Sequence, residues 1–251
     1  MKRFFIFILC IMLCLIAGCT PGKANTSPGS GTGTSTDVPP DLPAWAPDPQ
    51  ADPPPANPPW EREPQEAARP LSELTEKTIR ATITMEDGGV IVAELYPDLA
   101  PQTVRNFVYL ARLEFYNGLK FHRIMNGFMI QGGCPKGDGT GNPGYSIWGE
   151  FEKNGFKNEL KHEPGVLSMA RADDPNSAGS QFFIMHGTSK DLDGAYAAFG
   201  VVTEGMDVVE RLAKTPNSGS NGKVAPENMP VIKSIVINDD IELPEPEKIP
   251  R

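Results

Sequence analysis

The sequence predicts a mainly β domain, a sandwich or barrel with two helices at its ends, held behind a long tether. Three observations predict it. Short apolar stretches, several with alternating polarity, are separated by Gly-rich turns. Only two stretches carry helical spacing. The prolines are concentrated early: 14 of 26 lie between Thr20 and Leu74. Otherwise the 251 residues are 39% hydrophobic and 22% charged, ordinary globular usage, which excludes a wholly disordered or multi-span membrane protein. A net charge of −9 excludes nucleic acid as the main partner, because phosphate binding needs a basic surface.

The chain opens with Lys2 and Arg3, then an apolar run from Phe4 to Ile16 and the small residues Ala17-Gly18 before Cys19. The run is too short to cross a bilayer comfortably, so residues 1–18 read as a secretory signal. Leu15-Ile16-Ala17-Gly18-Cys19 also resembles the lipobox of bacterial lipoproteins, which implies lipid on Cys19, a membrane-anchored mature chain and an extracytoplasmic location. Cys10 and Cys14 leave with the signal. Cys134 then remains alone, with no base beside it in sequence, and reads as inert rather than nucleophilic.

Residues 19–74 form the tether. Pro, Gly, Ser, Thr, Ala and acids dominate it, and it cannot bury enough apolar area to offset ordering entropy. Trp45 and Trp60 are either isolated aromatics or partner contacts. The domain is expected over residues 75–239, and 240–251 form an acidic C-terminal tail.

Within the domain, Thr78–Met85 alternates apolar and polar residues, Asp87-Gly88-Gly89 signals a turn, and Val90–Leu95 returns as a hairpin partner. Ala100-Pro101-Gln102 opens a helix whose face carries Val104, Phe107, Val108 and Ala111. Strands are expected at Lys120–Arg123, Phe128–Gln131, Val166–Ala170 and Gln181–Met185. A second helix follows at Met206–Leu212, and a closing strand at Val231–Asn238.

Several chemistries fail on spacing. His122, His162 and His186 are far apart and form no ligand-spaced pair, so neither a metal nor another cofactor is expected. Each reads as a structural or surface histidine. There is no Gly-x-Ser-x-Gly elbow, and the Gly-rich run 137–144 lacks the Gly-Lys-Ser/Thr end of a phosphate loop. What remains is Phe121-His122-Arg123 leading through Gly127 to Phe128-Met129-Ile130-Gln131-Gly132-Gly133, with Ser180-Gln181-Phe182-Phe183-Ile184-Met185 repeating the theme. Apolar rings beside one guanidinium and amides suit either a pocket for an apolar group bearing a carbonyl, or a plain aromatic core with a surface arginine.

Those runs, with Gly165-Val166-Leu167-Ser168-Met169-Ala170 and Leu192-Asp193-Gly194 before Phe199-Gly200, resemble the cyclophilin-type peptidyl-prolyl isomerases over about Thr78–Asn238. The resemblance implies an eight-stranded antiparallel β-barrel capped by two α-helices and catalysis of X–Pro isomerisation. It implies Arg123 as catalytic residue. It also implies Phe128, Met129, Phe183 and Leu192 around the proline ring, Gln131 beside the arginine, and Ala170, Arg171 and Gln181 along the groove for preceding residues. His122 and Tyr196 complete the substrate-binding set. Asp191, Tyr196 and Arg171 depart from the best-known eukaryotic pattern of tryptophan, histidine and asparagine, which leaves cyclosporin affinity and sequence preference open. Expected partners are X–Pro segments of unfolded or secreted proteins, and the membrane through Cys19; a monomer is expected. The rivals are a Pro-peptide-binding module or chaperone with incidental turnover, and a scaffold acting through its tether.

Overall fold

A computed structural model describes residues 78–218 and 221–251. The expected signal, Cys19 and the tether lie outside the described residues. Ile79–Met85 (β1) and Val90–Leu95 (β2) form the expected hairpin, in register from Ile79↔Leu95 to Thr84↔Val90. Its turn is fixed by the Gly89 N–H donating to Asp87 Oδ1 at 3.0 Å. Alternation does what it should: Ile79, Ala81, Ile83 and Met85 are all buried. Helix α1 (Pro101–Arg112) starts at its proline and buries all four residues of the expected face.

The longer strands that follow are Arg123–Met125 (β3), Met129–Gly132 (β4), Val166–Met169 (β5), Phe182–Met185 (β6), Ala198–Glu204 (β7) and Ile232–Ile237 (β8), and two-residue strands lie at Tyr145–Ser146, Asn217–Ser218, Lys223–Val224 and Ile249–Pro250. Helix α2 spans Met206–Leu212, as expected. Neighbouring strands run in the order β8-β1-β2-β7-β5-β6-β4-β3, all antiparallel. The segment just before β3 then pairs back onto β8, through the Lys120↔Val231 bridge and bonds from Gly118 N–H to Ile232 O and Ile232 N–H to Leu119 O, both 2.8 Å. Eight strands thereby close a ring, the expected barrel.

Strand β7 was not expected, and several other strands are a residue shorter than expected at one end or both; two further shifts have clear local causes. The strand expected at Lys120–Arg123 appears as Arg123–Met125, because Phe121 donates to Pro230 O while His122 donates to Gln131 O. Those residues thus divide their bonds between two neighbours. Phe128 closes the turn by donating to Met125 O, so β4 begins one residue later than expected.

The interior is aromatic. Phe107 of α1 sits 5.3 Å edge-on from Phe182 and 5.2 Å from Phe199 and Tyr116. Each such ring contributes about 1.5–3 kcal/mol on burial.

The acidic segment 240–251 packs onto the domain. Ile241 and Leu243 rest on the core, and Arg112 donates to Ile241 O. The Glu247 N–H donates to Gln102 Oε1 at 2.9 Å, and Lys248 Nζ lies 4.3 Å from the Tyr109 ring centre. Ile249 and Pro250 pair with Ser146 and Tyr145. The segment is a strap across α1 and the loops beside it.

Candidate active site

The site lies on the outside of the barrel, and strand alternation puts it there. Ile124, Ile130, Leu167 and Ile184 point into the core, so their neighbours point out. Across four strands the outward row is Arg123↔Gln131↔Phe183↔Ser168. The next row is Met125↔Met129↔Met185. Met129, Val166, Phe183, Met185 and Ala198 form a second apolar cluster, with Met125, Phe128, Leu192 and Tyr196 half-buried around it. Leu192 arrives on the single turn Lys190–Leu192, and Tyr196 meets Phe183 edge-on at 6.0 Å.

Arg123 is held at the edge of this cluster. Its Nη1 donates to Gln131 Oε1 at 3.2 Å, its Nε to Asn221 O at 2.9 Å, and its Nη2 lies 3.2 Å from Met125 Sδ. A guanidinium only donates, so Gln131 Oε1 must face it, and Gln131 Nε2 is left to donate to Gln181 Oε1 at 3.0 Å. Gln181 Nε2 in turn donates to Gly139 O and Gly141 O, both at 2.8 Å. One donor-only group thereby sets the direction of a relay from β3 to the loop at 139–141. Burial draws the Arg123 guanidinium below its ordinary range, yet an arginine stays charged.

The floor is fixed by a histidine that sequence spacing left without a role. The His162 ring stacks on Phe183 at 6.1 Å, with Nδ1 3.1 Å from Asp193 Oδ1 and Nε2 3.0 Å from Ser168 Oγ. Burial lowers its pKa, which favours the neutral ring. Burial alone would raise Asp193, but the His162 backbone N–H and ring hold it below the usual carboxylate range. An ionised Asp193 then requires the proton on Nδ1, with Nε2 accepting from Ser168.

The structure brings Arg123, Phe128, Met129, Gln131, Phe183, Leu192 and Tyr196 together at one apolar patch. Gln131, Ala170, Arg171 and Gln181 line an adjoining recess of about 270 Å³. Arg171 is not a free cation there. Its Nε and Nη2 donate to Ala195 O, its Nη1 donates to Ala172 O and Asp173 O, and the guanidinium lies 4.6 Å from the Tyr196 ring centre and 5.1 Å from that of Phe151. His122 stands apart from the patch. It precedes an outward residue, its ring is buried against Gly139, and burial lowers its pKa. It supports the loop at 139–141. Cys134 is also buried, and its Sγ accepts the Gly139 and Gly141 N–H groups at 3.3 Å.

Sequence reasoning missed Met125, Met185, His162 and Asn221. The methionines were recoverable from period-two counting out of Arg123 and Phe183. Asn221 gave no local signal: it meets Arg123 across 98 positions. Its placement depends on Gly222, which pairs with Ile124 at φ +68°, where an added Cβ would stand 2.4 Å from Ile124 O. Gly222→Ala is expected to cost about 1–2 kcal/mol in stability and to lower isomerase kcat/KM, read by urea unfolding and a protease-coupled prolyl assay.

Comparison with known proteins bears on the fold and the family. The family model for cyclophilin type peptidyl-prolyl cis-trans isomerase/CLD matches residues 80–237. Peptidyl-prolyl cis-trans isomerase B of Bacillus subtilis (strain 168) is 48% identical over 143 residues, covering 57% of this chain and 92% of the relative. A peptidyl-prolyl cis-trans isomerase of Helicobacter pylori is 45% identical over 138 residues, covering 54% of this chain and 81% of the relative. A crystal structure of a Cryptosporidium parvum cyclophilin type peptidyl-prolyl cis-trans isomerase, in the presence of the dipeptide Ala-Pro, superposes with a TM-score of 0.57 at 32% identity, covering 64% of this chain and 99% of that one.

Proposed function

The chain belongs to the cyclophilin-type peptidyl-prolyl cis-trans isomerases, and we propose that it speeds the folding of secreted or surface proteins from a lipid anchor on Cys19, with Arg123 stabilising the twisted imide. The observation that carries this reading is the Arg123 guanidinium, fixed by Gln131 and Asn221 at the rim of an outward apolar cluster.

The chemistry follows from the imide bond. Its rotational barrier is about 18–20 kcal/mol because resonance gives C–N partial double-bond character. The two X–Pro isomers are nearly equal in energy but exchange in tens of seconds or longer. No bond breaks, so neither a nucleophile nor a cofactor is required. At the twisted state the proline nitrogen regains its lone pair and accepts a hydrogen bond that the planar imide cannot. A purely donating cation at that nitrogen stabilises the transition state alone. Phe128, Met129, Phe183 and Leu192 hold the ring while the preceding carbonyl swings. The cluster also keeps water from the contact, which strengthens it.

The test has two arms. Added enzyme should abolish the prolyl-limited slow phase in the refolding of a secreted protein, and an unchanged slow phase would refute the folding role. Full-length protein should fractionate with membranes and Cys19→Ala should move it to the soluble fraction; identical fractionation of the two would refute the anchor.

A further inference from the structure

The strap brings a cation to the recess beside the proline patch. Arg251 lines that recess together with Gln131, Thr140, Arg171, Ser177 and Gln181. Gln131 borders both places: it accepts from Arg123 beside the apolar patch and lines the recess. A peptide whose proline lies on the apolar patch has the recess beside it, and in the groove direction that the family resemblance implies the residues upstream of the proline reach that recess.

The charges around the recess are unequal in what they can offer. Arg171 spends its donors on the carbonyls of Ala195, Ala172 and Asp173. Among the acids on the lining loops, Asp138 accepts from the Thr140 N–H and hydroxyl, and Asp174 from the Asn176 N–H. Asp173 lies on the same loop and is exposed. Arg251 donates through Nε to Ser146 Oγ and through Nη2 to Ser177 O, and among the described residues Nη1 has no partner. Its backbone is fixed as well, because the two residues before it pair with Tyr145 and Ser146. Arg251 thus offers an anion a preorganised donor at the rim of the recess, against the opposing field of Asp138, Asp173 and Asp174 on the lining loops.

We propose that Arg251 is a specificity-determining residue, which favours substrates carrying a carboxylate side chain two or three positions before the proline. The inference rests on the isomerase reading above but adds a preference that reading does not contain.

The experiment uses the full chain and protease-coupled assays on peptides of one length. Glu, Ala or Lys is placed two or three positions before the proline. The readout is the ratio of kcat/KM for the Glu peptide to that for the Lys peptide, measured with the same enzyme. Wild type should prefer Glu by roughly fivefold or more at one of the two positions, and higher salt should shrink the preference. Arg251→Ala should bring the ratio near one, Arg251→Glu should invert it, and Arg251→Lys should keep most of it. A displaced strap changes rates for all peptides together and cannot invert a ratio. A wild-type ratio near one at both positions, or a ratio that Arg251→Ala and Arg251→Glu leave unchanged, overturns the inference. Failure of the wild type to turn over the Ala peptide would instead overturn the isomerase reading.

Discussion

Arg123→Ala is expected to lower kcat/KM for prolyl isomerisation by about 10- to 100-fold while the fold survives. The magnitude comes from one charge-assisted hydrogen bond, which nets about 1.5–3 kcal/mol, at about 1.4 kcal/mol per decade of rate. The fold survives because the side chain points outward and is half-buried; its backbone pairs with Gln131 and Lys223 whatever the side chain. Removing it also frees Gln131 Oε1, which water can reach at this open edge. Arg123→Lys should recover little. An ammonium keeps the charge, but its donors leave from one nitrogen, whereas the guanidinium reaches Asn221 from Nε and Gln131 from Nη1 and keeps its planar fork. The check is a protease-coupled assay on wild type and both variants, with circular dichroism and thermal unfolding alongside. Wild-type turnover by Arg123→Ala at native circular dichroism would end the proposed role of this residue. Catalysis would then rest on the apolar patch and the groups around it, without this guanidinium.

Much of this site was legible because period-two geometry is rigid. Once Phe128–Gln131 reads as a strand, Met129 and Gln131 must share a face, and the structure pairs both with outward residues of β6. Helix α1 was legible from Val104, Phe107, Val108 and Ala111, whose spacing leaves one burial solution. Strand β7 was not. Ala198-Phe199-Gly200 is buried on both faces, so polarity does not alternate there, and Gly200 lowers its strand character. Yet Gly200 is required, since a Cβ there would stand 2.6 Å from Glu94 O on β2. The strap was hidden for another reason. Its composition read only as an acidic tail, but Ile241 and Leu243 rest on the core and Ile249 pairs with Ser146, so the chain drapes over the domain. His162 escaped because a buried histidine acquires meaning only through partners, and Asp193 and Ser168 come from two other segments. Local pattern thus shows which residues face outward; it does not show which distant groups hold them still.

Stability should fall as pH rises between about 4.5 and 7, and Glu150 should carry that slope. This residue is fully buried, and its carboxyl accepts the Gln102 and Thr103 N–H groups, both at 2.8 Å. It caps α1 from a distance: Ala100 offers no side-chain cap, and the first turn holds no acid. Burial raises its pKa from 4.5 to about 7, against the downward pull of those N–H bonds. The folded chain therefore keeps a proton that the unfolded chain has shed, and the stabilisation is complete below 4.5 and gone above 7. A gap of 2.5 units (7 minus 4.5) corresponds to about 3 kcal/mol. His162 and His122 act with the opposite sign. Burial lowers both pKa values, so their contribution is lost as pH falls below 6.5 through the folded values. Glu150→Gln should therefore remove the falling slope and expose a shallow rise with pH, read by urea unfolding at pH 5 and pH 8. Glu150→Ala leaves two buried N–H groups without an acceptor and should cost about 2–4 kcal/mol at every pH. Activity should follow, because α1 positions Asn106, whose Nδ2 donates to Gly179 O at 2.7 Å, two residues before Gln181 of the relay. A Glu150→Gln variant that keeps the wild-type slope would show that a group other than Glu150 carries it.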